Sequence, residues 1–161
     1  MYLSKNLIIK LFILSLLLTF IFISKSSAEL VKPNAGIEPF QVVKIQLRGL
    51  QKNNNPYKDV GIEQTWEFAH PVNQKNTGPL EKFKIMLKGD SYTMLLNHIE
   101  HKIEQIYISE DVATFEVIVL DDEKKYYKFN WMVKKYLKDG PLKDCWLTTA
   151  VSQPVSLGSS I

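Results

Sequence analysis

The stretch Trp66-Glu67-Phe68-Ala69-His70-Pro71, with its continuation Asn73 to Phe83, decides how the rest of the chain can fold. It reads as a helix that carries a tryptophan and a phenylalanine, stops at a proline, turns, and starts again at Thr77-Gly78-Pro79-Leu80. Asp59 is placed to cap the first of these helices, which spans Val60 to Ala69. Ile62, Trp66 and Ala69 recur at spacings of four and three on its inner face, with Phe68 to one side. Pro71 disfavours helical geometry at His70, so the helix is expected to end there, and Val72 to Asn76 to form a polar turn. Thr77 or Gly78 then caps the next helix, with Pro79 in its first turn and Glu81 near the positive end of its dipole. Leu80, Phe83 and Leu87 form its buried stripe, Met86 lies beside it, and Gly89 closes it.

Upstream, a helical pattern begins at Ile37. Pro39 suits a first turn, where its missing N–H costs little. Phe40, Val43, Leu47 and Leu50 define one apolar face, with Lys44, Arg48 and Gln51 opposite. Gly49 weakens such a helix by about 1 kcal/mol relative to alanine. A close helix crossing at that point would explain the choice. The helix should end near Gln51, before Asn53-Asn54-Asn55-Pro56.

Downstream, Ser91 to Leu96 reads as one short helical turn, and from His98 the period changes to two. Ile99, His101, Ile103, Gln105 and Tyr107 alternate with His98, Glu100, Lys102, Glu104 and Ile106. Ala113, Phe115, Val117 and Val119 follow, then Tyr127, Phe129, Trp131 and Val133, and a last strand over Cys145 to Val151. Short turns favour antiparallel neighbours. Helices first and strands afterwards make the class α+β, with N-terminal helices covering the apolar face of a four-stranded antiparallel sheet. The division expected along the chain is 1–28 signal peptide, 29–36 extended leader, 37–152 single domain, and 153–161 flexible tail.

The first segment rests on Lys5 and Lys10, the uncharged run Leu11 to Ile23, and small residues at Ser26 and Ala28, the layout of a secretory signal cleaved after Ala28. The run is 13 residues long, against the roughly 20 that a spanning helix needs, so an anchor over residues 7–23 is the alternative. The expected location is therefore periplasmic or secreted, with membrane contact only through this segment if it is retained. Lys5, Lys10 and Lys25 leave with it, and the 20 basic residues fall to 17 against 17 acidic ones. A neutral domain has no global field for nucleic acid. Cys145 is the single cysteine, so no internal disulfide is possible, and Trp146-Leu147 beside it suggest a small buried core residue.

Three histidines are the candidates for chemistry. His70, read as the last residue of a helix, would be favoured in its protonated form by the dipole there. His98 and His101 sit three apart, so on one regular strand they face opposite sides and cannot readily share a metal. No metal and no cofactor is expected. The aromatic residues Trp66, Tyr92, Phe115, Phe129, Trp131 and Trp146, with His70 and His98, are the candidate lining of a ligand pocket. No dinucleotide, phosphate-loop, serine-hydrolase or paired-cysteine motif occurs.

The run from Trp66 to Pro71, then Asn73, Thr77-Gly78-Pro79-Leu80, Phe83, Met86-Leu87, Tyr92, Leu95-Leu96 and His98, resembles the bacterial domain-of-unknown-function 4864 family, as do Val43 to Leu50 and Cys145-Trp146-Leu147-Thr148. Members typically show Phe-Ala-(Ser or Ala)-Pro; His70 departs from that pattern. The resemblance spans about Phe40 to Val151 and implies a cystatin-like, nuclear-transport-factor-two-like cone, a curved sheet wrapped around helices. It implies no reaction. Enzymes of that wider group usually place an Asp or His on inner sheet positions. Here those positions are Phe115, Val117, Val119, Phe129, Trp131 and Val133, which counts against an isomerase or hydrolase. The expected function is a non-catalytic domain holding a small apolar ligand or a protein partner. The alternative is a small lyase- or isomerase-like enzyme with His70 or His98 as base. Homodimerisation through the outer sheet face, with Thr114, Glu116, Ile118, Lys128 and Asn130, is a further possibility.

Overall fold

The computed structural model describes residues 29–159; the expected signal segment, 1–28, lies outside them. Helix α1 (Pro39–Gln51) starts on Pro39 and buries Val42, Val43, Leu47 and Leu50 completely. Phe40, expected on that face, sits at its margin, 37% exposed and edge-on to Phe115 at 6.2 Å between ring centres. Gln46 takes a place in the buried stripe instead.

Helix α2 (Val60–Glu67) crosses α1 at two glycines. A Cβ on Gly61 would stand 2.0 Å from the carbonyl oxygen of Gly49, so the two backbones are in contact. The expected crossing at Gly49 is therefore present. Asp59 is not the side-chain cap of α2. Its backbone is left-handed (φ 67°), and its carboxylate meets Lys88 at 2.6 Å. The Oδ1 of Asn53 instead accepts from the amide of Ile62 at 3.0 Å. Burial would raise the Asp59 carboxyl, but the hydrogen bond and charge of Lys88, with Asn53, hold it below its usual range.

Helix α2 ends at Glu67, two residues sooner than the periodicity suggests, because Phe68–His70 leaves the helix to pair with a strand. The amide of Thr148 donates to the Phe68 carbonyl (2.7 Å), and the amide of His70 donates to the Thr148 carbonyl (2.8 Å). That change of backbone turns Phe68 into the core, where it is fully buried. Trp66, expected innermost, is only half-buried, its ring against Phe83 at 5.0 Å. The expected polar turn is a helix, α3 (Pro71–Thr77). Pro71, expected to stop a helix, opens one instead, since a proline suits the first helical position. Helix α4 (Leu80–Leu87) buries Phe83 and Leu87, with Leu80 half-buried, and a 3-10 turn over Thr93–Leu95 leads to the sheet.

The sheet is antiparallel, in the order β1 (Glu100–Ile108), β2 (Val112–Leu120), β3 (Lys125–Lys135), β4 (Trp146–Val151). Phe115 lies opposite Trp131 and Val117 opposite Phe129, and all four are buried under the helices. The expected alternation fades in β1, where only His101 and Ile103 are half-buried. Residues 155–159, expected as part of a loose tail, form a fifth strand, β5 (Val155–Ser159), on β3. Because β2 occupies one edge of β3 along its length, β5 continues the ribbon of β4 on the other edge, past Pro154. The sheet is thus five-stranded but four ribbons wide.

Candidate functional site

Between α1, α2, α4 and the β3–β4 ribbon lies a cavity of about 280 Å³, near the lower end of the ~300–1,000 Å³ usual for ligand sites. A bulge shapes its wall. Val133 pairs with Thr148 and Trp131 with Val151, so Thr149 and Ala150 together oppose Met132. The extra residue bends β4 and lets Thr148 and Val151 both face inward. The innermost lining residues are Gln46, Leu50, Thr65, Leu95, Trp131 and Thr148, all buried. Half-buried Asn73 and Thr77 of α3, Met86 and Tyr92 form the rim.

The floor is polar and tightly connected. Gln46 Oε1 accepts from Thr148 Oγ1 (2.6 Å) and from Trp131 Nε1 (3.0 Å), and Gln46 Nε2 donates to the Thr65 carbonyl (3.0 Å). An indole nitrogen can only donate and a carbonyl can only accept, so the chemistry of the partners fixes which end of the Gln46 amide points where. Trp131 Nε1 also reaches Thr148 Oγ1 at 3.2 Å. Thr65 Oγ1 donates to the Gly61 carbonyl at 2.8 Å. Around this floor Phe83, Leu87, Leu50 and Leu95 supply apolar walls.

At the rim, Tyr92 stacks on Phe129 with ring centres 6.5 Å apart. Its hydroxyl donates to the Val151 carbonyl and accepts from Gln153 Nε2, both at 3.3 Å. Burial raises the Tyr92 phenol above its usual range, so it is neutral at physiological pH. The lining contains no Asp, Glu, Lys, Arg or His.

Of the eight pocket residues expected from the sequence, Tyr92 and Trp131 line this cavity. Phe115 and Phe129 are core beneath it, Trp66 packs on Phe83 outside it, and Trp146 lies at the sheet end with Lys135 Nζ 5.2 Å from its ring centre. His70 is also elsewhere, and its expected setting is reversed. It is the N-cap of α3, with Nδ1 accepting from the Val72 amide at 3.2 Å and its ring against Tyr136. Partial burial and the charges of Lys134 and Lys138 lower its pKa, so the neutral ring is favoured, not the protonated one.

His98 and His101 do meet, with Nε2 of His98 2.7 Å from Nδ1 of His101. The period-two rule does not apply to them because His98 precedes β1 and follows Asn97, which is left-handed (φ 55°). His98 Nδ1 lies 2.7 Å from the Leu95 carbonyl and must donate to it, which leaves Nε2 as acceptor and His101 Nδ1 as donor. Burial pushes His98 down to about 4, despite the Leu95 hydrogen bond. Neither imidazole lines the cavity, and neither has a carboxylate partner among the described residues. Cys145 is buried and its thiol is pushed up by burial and by Asp144. Among the described residues no group of three or more His, Cys, Asp or Glu could hold a metal ion.

Gln46, Thr65 and Thr148 were not among the residues expected from the sequence. The available signal was Gln46 itself, a polar residue within the stripe Val43–Leu47–Leu50, which must find a buried partner. Fold and site together describe an α+β protein with helices on an antiparallel sheet and one polar-floored cavity between the layers. No family model, curated protein or solved structure matches the chain.

Proposed function

We propose that the protein is an exported, non-catalytic binding domain whose cavity takes one small, neutral, largely apolar molecule. The observation that carries this reading is the lining: apolar walls, a hydrogen-bonded floor, and no titratable side chain other than a phenol held neutral. A charged ligand would be buried there without a partner, at a cost of several kcal/mol. General acid–base chemistry needs a group that exchanges protons near pH 7, and His70 and His98 stand elsewhere. The cone-shaped, cystatin-like arrangement belongs to the same reading. It is supported by helices gathered on one sheet face, by three bulged strand pairs, and by the resemblance to the domain-of-unknown-function 4864 family.

Export with cleavage after Ala28 completes the proposal, and removing 28 of the 161 residues leaves a 133-residue chain beginning at Glu29. Native mass spectrometry of the protein purified from its own envelope tests both parts. The expected spectrum is the mass of the Glu29 chain carrying one small adduct that leaves on activation. A chain that stays bare, both as purified and after incubation with neutral aromatic compounds, contradicts the binding reading. A mass that still includes residues 1–28 contradicts the cleavage.

A further inference from the structure

The ligand class can be narrowed, on the assumption that the cavity is the binding site. The buried side chain of Gln46 offers two amide hydrogens and two acceptor lone pairs. Trp131 and Thr148 occupy the acceptor end, and the Thr65 carbonyl takes one of the two hydrogens. Trp131 Nε1 is spent on Gln46 and Thr148, Thr148 Oγ1 donates to Gln46, and Thr65 Oγ1 donates to Gly61. The second N–H of Gln46 is therefore the one donor of this floor that no protein group uses, on a residue that is fully buried and lines the cavity. It cannot turn away, because flipping the amide would set Nε2 against the Trp131 N–H and Oε1 against the Thr65 carbonyl.

We propose that Gln46 reads a carbonyl oxygen, and that the natural ligand is a small neutral carbonyl compound: a ketone, an ester, a lactone or an amide with an apolar body. An acceptor completes the Gln46 hydrogen-bonding set, and the hydrocarbon part meets Phe83, Leu87 and Leu95. A carboxylate would offer the same oxygen but bring an uncompensated charge into a lining that has no cation.

Three probes of nearly equal shape separate these ideas: acetophenone, α-methylstyrene, which replaces C=O by C=CH2, and benzoate. Each is titrated at pH 7 into 15N-labelled protein expressed from the full sequence. The side-chain NH2 signals of Gln46 and the indole signal of Trp131 are followed. The expected result is that acetophenone moves the Gln46 amide signals and binds about tenfold more tightly than α-methylstyrene, the worth of one good hydrogen bond to a buried donor. Benzoate is expected not to bind. The Gln46→Met variant should bring acetophenone down to the affinity of α-methylstyrene. Because it also removes the nearer of the two acceptors of the Trp131 indole and can fail to fold, Ala69→Leu serves beside it. That change sets a bulky side chain into the cavity while leaving Gln46, Thr65, Trp131 and Thr148 themselves unaltered, and it should abolish binding of both neutral probes. Equal binding of the two neutral probes with a still Gln46 amide overturns the carbonyl assignment and leaves the cavity as an apolar site. Tightest binding by benzoate overturns it in favour of an anion site. Binding of none at millimolar concentration overturns the assignment and the binding function together.

Discussion

Among the described glycines, Gly61 has the least room for a side chain. Helix propensity alone says that Gly61→Ala should stabilise α2 by about 1 kcal/mol. The contact says otherwise, since the new carbon would lie 2.0 Å from the Gly49 oxygen and 2.9 Å from the Asn53 Cα, both backbone atoms. The clash is the larger effect, and urea unfolding should show a net loss of about 1–3 kcal/mol. His98 makes a prediction with a sign. Its pKa is 6.5 in the unfolded chain and about 4 in the folded one, so between those values the unfolded state binds more protons. This part of the stability is complete above pH 6.5, falls as the pH drops toward 4, and is level below that. The full span is on the order of 3 kcal/mol. His101 adds to the same trend, its protonation opposed by burial and by Arg48. Unfolding curves at pH 7 and pH 5 should differ accordingly, and His98→Asn, which keeps a donor for the Leu95 carbonyl but cannot titrate, should remove most of the difference. At this scale the sequence was legible where a side chain's role is burial, as for Val117 or Trp131. It set His98 and His101 on opposite faces, whereas they meet, because one left-handed residue, Asn97, resets the alternation, and backbone handedness at an asparagine leaves no trace in a hydrophobic pattern.

Helix α3 is the element with the least to hold it. It has no buried residue, and its first turn depends on the neutral ring of His70. Its amides from Gln74 to Thr77 should exchange with solvent about a hundredfold faster than those of Val43 to Leu50 in α1, a difference that hydrogen-exchange mass spectrometry resolves. Acidification should widen the gap, since protonating His70 removes the acceptor for the Val72 amide. Strand β5 makes the opposite kind of contribution. Val155 and Leu157 are about half exposed (52% and 50%), so its removal costs little core. It does cover the edge of β3 from Lys125 to Lys128. A chain ending at Gln153 should lose about 1–2 kcal/mol and begin to self-associate through the bared edge, visible as a concentration-dependent shift in size-exclusion chromatography. Both elements escaped the sequence reading for related reasons. Pro71 signals a stop as strongly as a start, and Pro154 with Gly158 and three serines carries no alternation from which a strand could be read. The long amphipathic elements α1, β2 and β3 were legible because each has one face entirely in the core.

On the scale of the whole molecule, the switch of period near His98 was enough to place helices over an antiparallel sheet. The cavity was not legible. Its floor joins Gln46, Thr65, Trp131 and Thr148 across up to 102 positions of sequence, and no local spacing encodes such a meeting. Its wall depends on a bulge at Thr149–Ala150 that shifts register by one residue. Binding of any ligand requires real space between the helices and the β3–β4 ribbon. A crystal of the protein pressurised with xenon tests this most directly, because xenon enters apolar cavities and is located by its scattering. One xenon site is expected there, bounded by Phe83, Leu87, Leu95 and Trp131, with the Gln46 network undisturbed. An empty map there, with Met86 or Tyr92 folded inward to fill the space, would contradict it.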